Sequence, residues 1–267
     1  MIQLSLICPT ARTKDVCMRM ISSIKTDLDM EIIFVGPVDY FGKEKLHVSH
    51  KFVVTSVMLT QCLQIGMHHA KGETVGIIAD DERFSPYAWD EAYSIYKDSG
   101  NHKTIVSLNW WEPAFEKRTK QFIQAGIAII EEKKDTPKGC RLYNNLKPVI
   151  ERFGIQLPTG CSVMNRNFFF ELGGYDANFV RRLAPQDLFL RAVVNGAIIK
   201  YCDKGSVFED LKTKLSKEAT KPAAARKFDE DLYDSKWIFK DGILKQVIES
   251  RFFEFNKSIY TVSQSRM

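Results

Sequence analysis

The chain has 267 residues, 45% hydrophobic and 27% charged, with a formal net charge of +5 and a pI of about 8.8. That balance belongs to a globular domain able to bury a core without disulfides or structural metal. The mild basicity suits a phosphate-bearing ligand but falls short of a dedicated nucleic-acid binder. No run of about 18 apolar residues offers a membrane span, and the opening MIQLS lacks a signal-peptide pattern, so a cytoplasmic protein is expected.

In chain order, residues 4–8 (LSLIC) read as a buried strand ended by Pro9-Thr10. Residues 14–24 carry apolar side chains at helical spacing. A second strand at 31–35 stops at Gly36-Pro37. Residues 53–70 read as a helix and 74–79 as a strand, and Ser85-Pro86 reads as a helix start. This βαβ repetition predicts a mostly parallel sheet with helices on both faces. Further on, strands are expected at 104–108, 122–130, 161–164 and 197–201. Helices are expected at 142–153, 167–172, 185–194 and 238–255. The six cysteines form no C-x-x-C pair, so neither a zinc site nor a disulfide framework is indicated, and reduced thiols are expected.

Ligands of open parallel sheets sit beyond the carboxyl ends of the strands. Three polar segments fall at such ends: residues 9–13, 80–82 and the stretch around Gln186-Asp187. Adjacent carboxylates such as Asp80-Asp81-Glu82 repel one another unless a cation neutralises them. A hard divalent ion would do so, and a solvated acidic turn that caps the next helix is the plainer reading of the triplet by itself. His68-His69 reads as helix surface, since neighbouring residues point to different faces. Trp110-Trp111 reads as core or as a stacking platform for a sugar.

Three segments together resemble glycosyltransferase family 2. Residues 4–24 (LSLICPTARTKDVCMRMISSI) look like that family's opening strand, Pro-Thr loop and first helix. Residues 70–86 (AKGETVGIIADDERFSP) are similar to its Ala-x-Gly-Glu strand and acidic metal motif. Residues 158–196 (PTGCSVMNRNFFFELGGYDANFVRRLAPQDLFLRAVVNG) resemble its acceptor-side segment. The resemblance implies a GT-A (Rossmann-like) α/β fold and an inverting transfer of sugar from a nucleotide-sugar, UDP-sugar favoured. It implies a glycosyltransferase domain over 1–210, with nucleotide binding over about 1–100 and the acceptor side over about 101–210. A basic linker and helical C-terminal extension would follow over 211–267.

Carried over by position, Pro9, Thr10, Ala11, Arg12, Gln64 and Asp80 would meet the donor, and Asp81 with Glu209 would hold Mn²⁺ or Mg²⁺. Gly160, Cys161, Gln186, Trp110 and Trp111 would meet the acceptor. Asp187 would be the general base, and the metal would stabilise charge on the leaving diphosphate. Arg191, one turn beyond Asp187, would hold that carboxylate, hold a phosphate, or form a surface pair. The basic run 212–217 would be a solvated linker or a lid.

The chain departs from the pattern at several points. Val35-Gly36-Pro37 stand where an Asp often reads the base, and Leu63-Gln64 replace an Arg-Asn pair. Ala79 takes the first polar position of the metal motif, and Gln186 replaces a Glu. These departures leave room for a retired enzyme acting as a binding module. A sugar-phosphate nucleotidyltransferase fits less well, because residues 9–12 contain no glycine to cradle a triphosphate. The acceptor stays open among a glycan, a lipid-linked sugar, a protein and a modified nucleobase.

Overall fold

The computed structural model describes residues 1–10, 12–113, 129–130, 140–143, 157–158, 160–209 and 223–264. The first strands are β1 (Leu4–Pro9), β2 (Met30–Gly36), β3 (Ser49–Val54) and β4 (Thr74–Ile77). They alternate with helices α1 (Lys14–Ser23) and α2 (Leu59–His69). β5 (Glu82–Phe84), α3 (Ala88–Asp98) and β6 (Thr104–Pro113) follow, then the short strands β7 (Ile129–Ile130) and β8 (Cys140–Tyr143). The acceptor-side stretch supplies β9 (Ser162–Asn165), α4 (Arg166–Glu171), α5 (Ala184–Val194) and β10 (Ile198–Glu209). The chain continues through α6 (Ala223–Lys236), a hairpin of β11 (Trp237–Lys240) and β12 (Ile243–Gln246), and β13 (Thr261–Gln264).

The main sheet runs β13-β3-β2-β1-β4-β9-β6-β10-β5, with β8 on β6 and β7 on β8. β3, β2, β1, β4, β6 and β10 share one direction; β9, β13 and β5 oppose it. This is the expected mostly parallel α/β sheet flanked by helices. In β1 and β2, successive apolar residues enter opposite cores: Leu6 and Phe34 pack with the layer of α1 and α3, while Ile7 and Val35 pack with the layer of α2, α4 and α5. Such continuous apolar runs are what a strand covered on both faces requires. β2 and β3 extend the sheet to one side of β1, and β4 starts the other side. The switch point therefore lies at the carboxyl ends of β1 and β4.

Several element boundaries differ from the expectations. The helix expected over 53–70 starts only at Leu59, because residues 49–54 pair in register with β2. β6 continues beyond residue 108 to Pro113, its residues 109–111 pairing with β10 after a register shift and 111–113 with β8. Residues 140–143 form a strand where a helix was expected to begin, and the rest of 142–153 lies outside the described residues, as does 122–128 of the expected strand. The terminal helix falls at Ala223–Lys236, and 237–246 is a hairpin instead of a helix. Asp241 and Gly242 both take positive φ, 54° and 75°. That is the two-residue turn that matches strand twist, and an Asp-Gly pair provides it at low cost.

The C-terminal segment closes onto the rest of the molecule. β13 pairs antiparallel with β3 and covers that sheet edge. His68 packs on Phe255 in a tilted arrangement with centroids 3.9 Å apart, and His69 meets Tyr260 edge-on at 5.2 Å. The histidine pair thus forms a docking face for this segment, and burial lowers both imidazole pKa values. No described helix is long and apolar enough to cross a membrane.

Candidate donor site

A cavity of about 500 Å³ opens at the switch point. Pro9, Thr10 and Arg12 line it from the end of β1, Gly36 and Pro37 from the end of β2, and Asp80 and Glu82 from the turn after β4. Trp110, Gly160 and Cys161 line it from the acceptor-side stretch, with Arg181, Arg182, Leu183 and Gln186 from the approach to α5. The three strand-end segments singled out from the sequence therefore meet in one place. Ala11 lies outside the described residues.

Local geometry explains why these residues sit there. Thr10 N–H donates to Val35 O at 2.8 Å, which brings the ends of β1 and β2 together. A Cβ added at Gly36 would lie 2.1 Å from Thr10 Oγ1, so the position is restricted to glycine. This supplies a packing reason for the Gly-Pro that stands where a base-reading Asp was looked for. A Cβ on Gly160 would lie 3.6 Å from the Trp110 ring, placing that ring over the Gly160 backbone. Trp110 is half-buried and packs on the core, yet its Nε1 has no hydrogen-bond partner among the described residues. The side chain of Trp111 lies outside the described residues.

The acidic turn has a cation of its own. Arg12 Nη1 lies 2.7 Å from Asp80 Oδ1 and its Nη2 2.6 Å from Asp81 Oδ2, while the Arg12 backbone N–H donates to Asp80 Oδ2 at 2.8 Å. Both carboxylates are almost fully buried. Glu82 Oε2 accepts from the Ala79 N–H at 2.7 Å and from the Cys161 thiol at 3.0 Å. Burial, and next the Glu82 charge, push the Cys161 pKa well up, so that thiol stays protonated and donating. Burial, and next Asp80, do the same to Cys8.

As placed, this set does not fit Mn²⁺ or Mg²⁺. A hard divalent ion needs several converging oxygens, whereas a guanidinium already spans Asp80 and Asp81. Among the described residues no three His, Cys, Asp or Glu side chains converge on a metal-sized point. The backbone of Glu209 pairs with Glu82 across β10 and β5, which brings the two strands' acids close in register. The Glu209 side chain itself lies outside the described residues.

Asp81, Gln64 and Asp187, three of the expected site residues, do not line the cavity. Gln64 is buried, and its Oε1 accepts from the Tyr175 N–H at 3.0 Å while its amide meets His68 at 3.1 Å. It pins α2 to the Gly173-Gly174 turn, whose positive φ and close approach to Gln64 leave no room for a Cβ at Gly174. Asp187 is fully buried and absent from the cavity lining. Its Oδ2 takes Arg191 Nε at 3.0 Å, and its Oδ1 takes Trp237 Nε1 at 2.9 Å and Lys236 Nζ at 2.8 Å. Arg191 also caps the carbonyls of Leu172 and Gly174, so it holds the carboxylate and a turn, not a surface pair.

Sequence reasoning missed the residues that shape the cavity wall near α5. Asp229 of α6, fully buried, accepts from the backbone N–H groups of Val180, Arg181 and Arg182 at 2.9, 2.7 and 2.7 Å. Lys236 of the same helix is fully buried and contacts both Asp176 and Asp187. Leu183 then enters α5 with φ 67°, a strained left-handed start for a branched side chain. The Arg-Arg doublet was visible in the sequence; the carboxylate that aims it stands 48 and 47 positions further on, beyond the reach of any local signal.

No protein-family model and no curated protein matches this sequence. Solved structures do match. The glycosyltransferase TarS of S. aureus aligns with a TM-score of 0.53 and 12% identity, over 79% of this chain and 37% of TarS. TarS residues 1–349 give 0.54 and 12%, over 87% of this chain and 71% of that one. The same region in complex with UDP-GlcNAc gives 0.53 and 11%, over 83% and 62%. The chain thus spans little more than a third of the longest TarS form. At this identity the likeness establishes the fold, and the fold is the GT-A-like one that these glycosyltransferase structures share.

Proposed function

We propose that this chain is a glycosyltransferase of the family 2 type, which takes a UDP-sugar in the cavity at the β1–β4 switch point. The observation that carries the reading is the joint lining of that cavity by the Pro9-Thr10 loop, the acidic turn and the acceptor-side stretch. The same fold in TarS is known with UDP-GlcNAc bound. The apolar wall from Val57, Leu63 and Ile77 suits a base and ribose, and the arginines suit phosphates.

Inverting transfer needs one carboxylate that faces the acceptor hydroxyl. Asp187, with both oxygens committed inside the protein, is assigned here as a structural anchor. Among the carboxylates that line the cavity, Asp80 is held by Arg12. Glu82, beside Cys161 on the acceptor side, is the proposed base. The hydroxyl would pass its proton to Glu82 as its oxygen attacks the anomeric carbon and the nucleoside diphosphate leaves.

Calorimetric titration of a nucleotide and nucleotide-sugar panel tests the donor half. Saturable binding of UDP or a UDP-sugar is the expected result. Failure of every nucleotide to bind the folded chain would refute the reading.

A further inference from the structure

We propose that this chain meets its donor's diphosphate with arginine in place of a divalent metal ion; the inference rests on the donor reading above. Arg12 fills the gap between Asp80 and Asp81, and Arg181, with Arg182 beside it, receives the phosphates.

Three observations carry it. First, the Arg12 guanidinium spans the two carboxylates with contacts of 2.7 and 2.6 Å, reinforced by its own backbone N–H. A planar fork between two nearly buried carboxylates is a strong, geometrically specific arrangement. A divalent ion would have to displace it and leave a guanidinium without its partners. Second, Arg181 lines the same cavity, and its guanidinium has neither an ion pair nor a hydrogen bond among the described residues. Third, Arg181 is built in. The Asp229 carboxylate clamps three successive backbone N–H groups across residues 180–182, and Asp229 is itself fully buried. A cation presented from so fixed a backbone loses little freedom on binding an anion. Arg182 shares the wall, with Glu230 on its guanidinium at 3.0 Å.

The test is a titration of the full chain with UDP and with uridine, each in EDTA and in Mn²⁺, together with Mn²⁺ alone followed by electron paramagnetic resonance. UDP affinity is expected to agree within about threefold between EDTA and Mn²⁺, well below the tenfold that corresponds to 1.4 kcal/mol. Arg181→Gln, at a half-buried position whose side chain has no partner among the described residues, should weaken UDP by about tenfold or more and leave uridine unchanged. Wild type should leave Mn²⁺ unbound, and Arg12→Ala should gain Mn²⁺ binding as the acidic pair is uncovered. UDP binding that requires Mn²⁺, or Mn²⁺ bound by the wild type alone, would overturn the inference while the donor reading stands. Unchanged UDP affinity in Arg181→Gln would overturn the assignment of Arg181. No UDP binding to the folded chain under either condition would remove the donor reading and this inference together.

Discussion

Asp80 and Glu82 line a cavity, with Asp81 beside them and Arg12 spanning Asp80 and Asp81, whereas Asp176, Asp187 and Asp229 lie at the seam between the α5 region and the C-terminal segment. Both clusters are buried or nearly so, and both are neutralised by basic side chains or backbone N–H groups. They differ in what supplies the partner. At the rim the cation comes from a loop that itself lines the cavity, so an incoming anion or acceptor can reach the set. At the seam the partners Lys236, Trp237 and Arg191 are interior, and every carboxylate oxygen of Asp187 is taken. An acid at a helix start becomes chemistry or architecture according to which distant segment covers it.

The sharpest way to break this contrast is Lys236→Met. It takes the ammonium away from Asp176 and Asp187 inside the protein, and removal of one partner from a buried pair costs about 3–5 kcal/mol. Urea denaturation should show that loss, and wild-type stability would put the anchor role aside. Next come paired substitutions at the two proposed acids. Glu82→Gln should lower transfer about 100-fold or more with donor affinity kept, the scale of a lost general base. Asp187→Asn should instead lower stability by roughly 3 kcal/mol and leave turnover per folded molecule near wild type. The reverse pattern, with Asp187→Asn stable and inactive, would return the base to Asp187.

Trp237→Phe removes one hydrogen bond to a buried carboxylate and should cost about 1.5–3 kcal/mol by the same denaturation measurement. An unchanged midpoint would show that the indole contributes packing alone. The smallest expected effect is on pH dependence. Burial lowers the pKa values of His50, His68 and His69 below the ordinary histidine value of about 6.5. The unfolded chain therefore binds these protons first, so stability is full above about pH 6.5 and declines as pH falls towards the folded values. Melting temperature should drop between neutral and mildly acidic buffer, and His68→Gln with His69→Gln should flatten that slope.

Much of the donor side was legible because its signals are local. Apolar runs ending at Pro9-Thr10 and at Asp80-Asp81 mark strand ends, and parallel topology brings those ends together. The seam was not legible. Asp187 and Trp237 are 50 positions apart, and nothing near Asp187 foretells an indole and an ammonium on its oxygens. The hairpin at 237–246 is a different kind of miss: its Asp241-Gly242 turn was in the sequence, within the stretch expected to be an amphipathic helix. Arg12 shows a third kind. A basic residue in a loop gives no sign that it will settle between two carboxylates 68 and 69 positions later.

The central claim is that the cavity cleaves a nucleotide-sugar, and UDP release from a panel of UDP-sugars, with water and with simple acceptors, tests it most directly. The account predicts UDP release from at least one donor by the wild type and its loss in Glu82→Gln. A chain that binds UDP-sugars but releases no UDP from any of them would contradict it and make this a binding module on a glycosyltransferase fold.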